Sequence, residues 1–292
     1  MEKGPLPVPL VTTEWLHSHL DEPDLVVVDA SVQMIAAPPH RAHMRKAYAE
    51  AHIPGAVYAN IVDDFSEPDS PLPITRPSAD RLATAIGRLG IGPDTHVAVY
   101  DRSGGQSAAR FWWLLRSAGH DRIAVLDGGL PRWIADGHFT ESGAVDPLPV
   151  TFPVTLRPEM WADKKQVMDV VHGEASATLV NALPELPQDP SALPPEVLHI
   201  LSASIPGSVA MPFPSLADPG SSTLRPAAEL ASHLAPVTAG KRAIVYCASG
   251  LSAPLVCLGL TLSGHTDVAV YDGSIEEWLS DPDAPVVHQS IH

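Results

Sequence analysis

Cysteine is nearly absent from this 292-residue chain, which has two. Two cysteines cannot build a disulfide framework, so a reducing cytoplasm is the expected setting. Positive charge is also scarce. Lys and Arg number 18 against 34 Asp and Glu, for a net charge of −16. That balance argues against nucleic acid or an anionic membrane surface as a general partner. No apolar run is long enough to cross a bilayer. The opening MEKGPLPVPLVTTEW puts Pro5, Pro7 and Pro9 where an export signal needs an apolar helix, so none is expected. The 14 histidines do not fall into ligand spacing. HSH at 17–19 and HRAH at 40–43 lack partner clusters, and no metal site is predicted.

What is present is a long-period repeat. LVVVDAS (25–31) matches ATLVNAL (177–183), and AHIPGAV (51–57) matches ASIPGSV (203–209), both 152 residues apart. PSADRLATAI (77–86) matches RPAAELASHL (225–234). HVAVYDRSGGQSA (96–108) matches RAIVYCASGLSA (242–253), setting Asp101 opposite Cys247. AVLDGGLPRW (124–133) matches AVYDGSIEEW (269–278), 145 residues apart. Five matches in one order predict two homologous domains, 8–140 and 160–288, joined by a proline-bearing linker around 140–159.

Each half alternates strand and helix. Short β-branched runs at 26–29, 97–100, 124–126, 244–246 and 268–271 read as buried parallel strands. Helices are predicted over 78–89, 107–118, 226–235 and 252–263. The second of these, SAARFWWLLRSA, is apolar all round and so buried. This alternation predicts an α/β fold with a parallel sheet, built twice.

Cys247 then falls between a strand and a helix that starts near Ser252, with 248–251 as the turn. Sites in open α/β sheets lie at the carboxyl ends of strands. A turn of small residues there aims backbone N–H groups inward and, with the helix N-terminus, forms an anion nest. Such a nest favours a thiolate, which makes Cys247 the candidate nucleophile, and the small side chains leave room for a second sulfur. Cys257, in APLVCLGLTL, reads as core. Trp133 and Trp278 read as core anchors. Asp29, Asp127 and Asp272 read as residues that hold loops, and Arg41 and Arg45 as solvated.

HIPGA (52–56), together with the strand-end Cys-x-x-Gly-x-Ser-Ala, resembles the rhodanese superfamily. The paired layout is similar to its two-domain sulfurtransferases. The resemblance implies two tandem rhodanese-like domains, each a parallel sheet flanked by helices, with the cysteine kept only in the second and Asp101 in its place in the first. It implies transfer of sulfane sulfur through a Cys247 persulfide. The donor would be of the 3-mercaptopyruvate or thiosulfate type, or a protein persulfide, and the acceptor a thiol, cyanide or a protein. No metal or organic cofactor is implied. Ser249 would assist proton movement, and Ala248, Gly250, Leu251 and Ser252 would complete the active-site loop. Cys-Ala-Ser-Gly-Leu-Ser lacks a base and resembles the mercaptopyruvate branch.

Two departures alter the expected donor pocket. Leu183 stands where the family carries an anion-binding arginine, and Ile74 where it carries a histidine. No arginine occurs between Arg157 and Arg225, and only Lys164 and Lys165 lie between them. Asp63 matches an acidic residue of the first-domain loop, and Arg76 is a candidate source of positive charge. Weak turnover of free mercaptopyruvate or thiosulfate is therefore expected, with a larger or protein-borne donor favoured. Two other classes compete with this one. A phosphatase of the Cys-x5-Arg type needs arginine where Ala253 stands. A catalytically reduced binding or regulatory protein, or a sulfur relay for a biosynthetic partner, would keep the fold and use the altered pocket.

Overall fold

In the computed structural model, residues 9–34, 41–238 and 242–288 are described. Pro5, Pro7 and His40 lie outside the described residues, as does the Arg41 side chain. The chain forms two compact units. The first comprises residues 1–69, 76–157 and 218–224, and the second 70–75, 158–217 and 225–292.

The first unit is a five-stranded parallel sheet. Its strands are β1 (Leu10–Val11), β2 (Leu25–Asp29), β3 (Val57–Tyr58), β4 (His96–Tyr100) and β5 (Ile123–Leu126), in the spatial order β1-β5-β4-β2-β3. The second unit has β6 (Trp161–Ala162), β7 (Thr178–Asn181), β8 (Val209–Ala210), β9 (Ala243–Tyr246) and β10 (Val268–Tyr271). Its order, β6-β10-β9-β7-β8, is the same one, again all parallel. The repeat seen in the sequence is thus a repeat of topology. β4 and β9 are the central strands of their sheets, buried on both faces, which is why they read as continuous apolar runs.

The principal helices flank these sheets: α1 (Thr13–His19), α2 (Ala79–Arg88), α3 (Gln106–Ser117), α4 (Gly129–Ala135), α5 (Lys164–Val171), α6 (Pro195–Ser202), α7 (Ala227–Leu234), α8 (Ala253–Leu262) and α9 (Ser274–Leu279). α5 starts at a capping box, with Asp163 accepting from the Gln166 N–H and the Gln166 side chain accepting from the Asp163 N–H. α3 and α8 are buried along almost their whole length. Trp133 and Trp278 are both fully buried, and each donates its indole N–H to a backbone carbonyl, of Phe139 at 2.9 Å and of Pro285 at 2.8 Å. The phenols pair off as well. Tyr100 accepts from the Ile53 N–H at 3.2 Å, and Tyr246 from the Ile205 N–H at 3.0 Å.

The proline-bearing stretch after α4 does not hang free. It is pinned along the first unit, with Val150 donating to the Gly87 carbonyl at 3.0 Å, Thr155 to Ala118 at 2.9 Å and Arg157 to Ser117 at 2.8 Å. Gly87 is required there, because a Cβ would meet the Val150 oxygen at 2.3 Å. These backbone hydrogen bonds make the stretch a strap along the first unit.

Candidate active site

Cys247 follows the central strand β9 and is buried. The turn 248–252 leads into α8, whose first turn holds Pro254, a residue suited to that position because its missing N–H has no helical partner there. The Ser252 N–H donates to Cys247 Sγ at 3.4 Å. Gly250 takes a left-handed φ of 80°, which lets the turn close. Ser249 and Leu251 are buried in the same turn. Cys247, Ala248, Ser249, Gly250, Leu251 and Ser252 are therefore brought together as one loop.

A residue that sequence reading did not single out completes it. Ser274, fully buried at the start of α9, accepts from the Cys247 N–H at 3.1 Å and donates to the Tyr271 carbonyl at 2.8 Å. Its Oγ lies 4.0 Å from Cys247 Sγ. The next two amides hold the other side of the loop. Ile275 donates to the Cys247 carbonyl at 3.1 Å and Glu276 to the Ala248 carbonyl at 3.0 Å. β10 pairs beside β9 and so delivers these residues to the cysteine. The available signal was the Gly-Gly of AVLDGGLPRW against the Gly-Ser of AVYDGSIEEW.

The first unit shows what such a loop does with an anion. Asp101 is buried at the end of β4. One carboxylate oxygen accepts from the Ser103 and Gly105 N–H groups, both at 2.9 Å. The other accepts from the Ser107 N–H at 3.0 Å, the Ser107 hydroxyl at 3.1 Å and the Ala108 N–H at 3.1 Å. The side chain is thus the anion of its own nest. Arg102 of that loop is also occupied, pairing with Asp29 at 3.3 Å and donating to the Ala51 carbonyl. Burial raises the Asp29 carboxyl above its usual range, and its bond from the Ser31 N–H and its charge contact with Arg102 only partly offset this.

The two altered positions are both apolar and buried. Leu183 is 5 % exposed, sits in the core of the second unit and donates its N–H to Asn181 Oδ1 at 2.9 Å. Ile74 is 3 % exposed, has a φ of 55° and belongs to the segment 70–75 that clusters with the second unit. Every described Lys and Arg of that unit is paired with a carboxylate: Lys164 with Asp281, Lys165 with Asp169, Arg225 with Glu229 and Arg242 with Asp267. Asp63 and Arg76 lie in the first unit. Asp63 is exposed and accepts from the Asn60 amide at 2.6 Å, and Arg76 is exposed at the surface. Arg45 is exposed, with its guanidinium 5.3 Å from the Tyr58 ring centre.

Cys257 is fully buried within α8. Burial pushes its thiol well up, and negative charge on Cys247 pushes the same way, so it stays a neutral thiol. Among the described residues no three His, Cys, Asp or Glu side chains gather as a metal site. Nor is any described helix long and apolar enough to cross a membrane.

Two parallel sheets of one topology, with a buried cysteine after the central strand of one and a buried aspartate after that of the other, define a tandem α/β protein. The chain belongs to the rhodanese-like domain family, whose model matches residues 12–136 and 196–281. It is 34% identical to the mitochondrial thiosulfate/3-mercaptopyruvate sulfurtransferase 1 of Arabidopsis thaliana, over 95% of this chain and 78% of that protein. It is 31% identical to the 3-mercaptopyruvate sulfurtransferase of Escherichia coli K12, over 94% of this chain and 96% of that one. The crystal structure of SseA, a 3-mercaptopyruvate sulfurtransferase from Escherichia coli, superposes with a TM-score of 0.78 at 29% identity, covering 91% of this chain and 98% of that chain.

Proposed function

We propose that this sulfurtransferase carries sulfane sulfur on Cys247. The observation that carries the assignment is the buried Cys247 sulfur at the end of β9, held by the Ser252 N–H and flanked by Ser274. In the first half-reaction the Cys247 thiolate attacks the sulfane sulfur of the donor. A sulfur–sulfur bond forms, and the donor leaves with the electron pair of its broken bond. In the second, an acceptor thiolate or cyanide attacks the outer sulfur and Cys247 leaves as thiolate. Ser249 is the hydroxyl assigned to proton movement at this sulfur, and Ala248, Gly250, Leu251 and Ser252 shape the space for the transferred atom. The chemistry needs no metal or organic cofactor, and two free cysteines suit a reducing cytoplasm.

The similar proteins take thiosulfate or 3-mercaptopyruvate by name. This chain favours a less anionic or protein-borne donor, with a thiol, cyanide or a protein as acceptor. Buried Leu183 and Ile74 support that reading, as does the pairing of every described cation of the second unit. An anion without a guanidinium clamp gains little in a buried site. Intact-protein mass spectrometry after incubation with thiosulfate, 3-mercaptopyruvate, or a cysteine desulfurase with cysteine tests both parts. One sulfur is expected on the protein and absent in Cys247→Ser, with the largest yield from the desulfurase. No sulfur from any donor overturns the Cys247 assignment. Rapid turnover of thiosulfate or 3-mercaptopyruvate overturns the donor preference alone.

A further inference from the structure

The two units give the chain an internal control on one backbone position. Gly129 in the first unit and Ser274 in the second are the same place in the repeat, and both take a left-handed backbone, with φ of 56° and 53°. Both precede an amide that donates to the residue ending the central strand: Leu130 to the Asp101 carbonyl at 2.9 Å, and Ile275 to the Cys247 carbonyl at 3.1 Å. At Gly129 an added Cβ would meet the Asp101 carbonyl oxygen at 2.3 Å. Glycine meets that conformation without cost. A serine there is strained, and such strain persists where the surroundings hold it for a purpose. The strained side chain stands only in the unit that has a cysteine.

We propose that Ser274 is a positioning residue for Cys247, whose hydroxyl fixes the cysteine backbone and turns to donate to the sulfur when it becomes anionic. A hydroxyl has one proton and two lone pairs. With the sulfur as thiol, that proton goes to the Tyr271 carbonyl at 2.8 Å while the oxygen accepts from the Cys247 N–H at 3.1 Å. Rotation about the Cβ–Oγ bond leaves the oxygen in place and redirects the proton toward Sγ, 4.0 Å away, where the Ser252 N–H already donates. The oxygen is buried, so no water competes for that role. Cys257 on α8 is an ionisable neighbour of this sulfur, and burial pushes its thiol well up.

The proposal rests on Cys247 as the reacting sulfur, and its test is separable from sulfur transfer. Alkylation of Cys247 by iodoacetamide is followed by peptide mass spectrometry across pH in the full chain, for wild type, Ser274→Ala and Ser274→Gly. Both variants remove the hydroxyl, and Ser274→Gly also removes the strain. Both are expected to move the alkylation profile to higher pH by about one unit. The rate at neutral pH then falls about tenfold, the loss of one hydrogen bond to a charged group. Both variants lose the buried hydrogen bonds of the hydroxyl, and Ser274→Gly, which also relieves the strain, is expected to lose less melting temperature than Ser274→Ala, so an equal shift of the alkylation profile in the two separates reactivity from folding. A profile unchanged in Ser274→Gly overturns the proposal. A loss confined to Ser274→Ala, with Ser274→Gly like wild type, assigns the position to backbone geometry and overturns it as well.

Discussion

The first unit makes the sharpest prediction, because its anion is part of the chain. Asp101→Asn keeps the size and shape of the side chain but replaces one acceptor oxygen with a donor NH2. Whichever way the amide turns, one pair of backbone amides loses its acceptor: Ser103 and Gly105, or Ser107 and Ala108. Asp101 is 1% exposed, so water does not replace the lost acceptor without opening the loop. A buried donor left unpaired costs about 1–3 kcal/mol, so two cost roughly 2–6 kcal/mol. For a unit of this size each kcal/mol is worth roughly 2–4 °C, and a drop in melting temperature of about 4 °C or more is expected. Calorimetry on the full chain measures the drop. Native-state hydrogen exchange localises it, since the amides of 103, 105, 107 and 108 should lose protection together. An unchanged melting temperature with protection intact at those four amides would refute the nest as the reason aspartate stands there.

Other expectations follow from the same contacts. Leu183→Arg is not expected to rebuild an anion clamp; a charge in the core of the second unit should cost several kcal/mol or more, seen as loss of cooperative unfolding in urea. Cys257→Ala should lower stability by about 1 kcal/mol through a small cavity while leaving sulfur loading of Cys247 at the wild-type level by mass spectrometry. Asp29 has a raised carboxyl, so the folded state holds its proton more tightly than the unfolded chain, and stability falls as pH rises from the ordinary carboxylate range through the raised one. Asp29→Asn, which copies Asn181 of the second unit, should flatten that part of a urea-denaturation pH series. Burial pushes Tyr58 up to about 12 from 10.0, so the stability its neutral phenol supports is present below pH 10 and is lost as pH rises from there toward 12. Tyr58→Phe should lose less stability across that alkaline window.

Local pattern sufficed for much of the architecture. Helices expected over 78–89, 107–118, 226–235 and 252–263 are Ala79–Arg88, Gln106–Ser117, Ala227–Leu234 and Ala253–Leu262. The runs read as strands lie in β2, β4, β5, β9 and β10. Apolar periodicity is written residue by residue and survives without knowledge of partners. The repeat alone sets Cys247 at a strand end, and it follows β9 directly. The proline-rich stretch before α6 was harder to read, since proline starts a helix as readily as it breaks one, and Pro195 opens α6 as its first residue.

The sequence by itself determined the α/β class, the duplication, and a cysteine poised between strand and helix, because these depend on neighbours within a few residues. Only the tertiary structure decided what meets that cysteine. Ser274 lies 27 positions away and reaches it because β10 pairs in register beside β9. Leu183 ends in a hydrophobic core, and Asp101 folds back on five donors, for reasons no linear spacing records. Parallel pairing aligns the carboxyl ends of strands that are distant in the chain. The chemistry of the loop is therefore set by register and packing, while the loop's place in the chain is set by pattern.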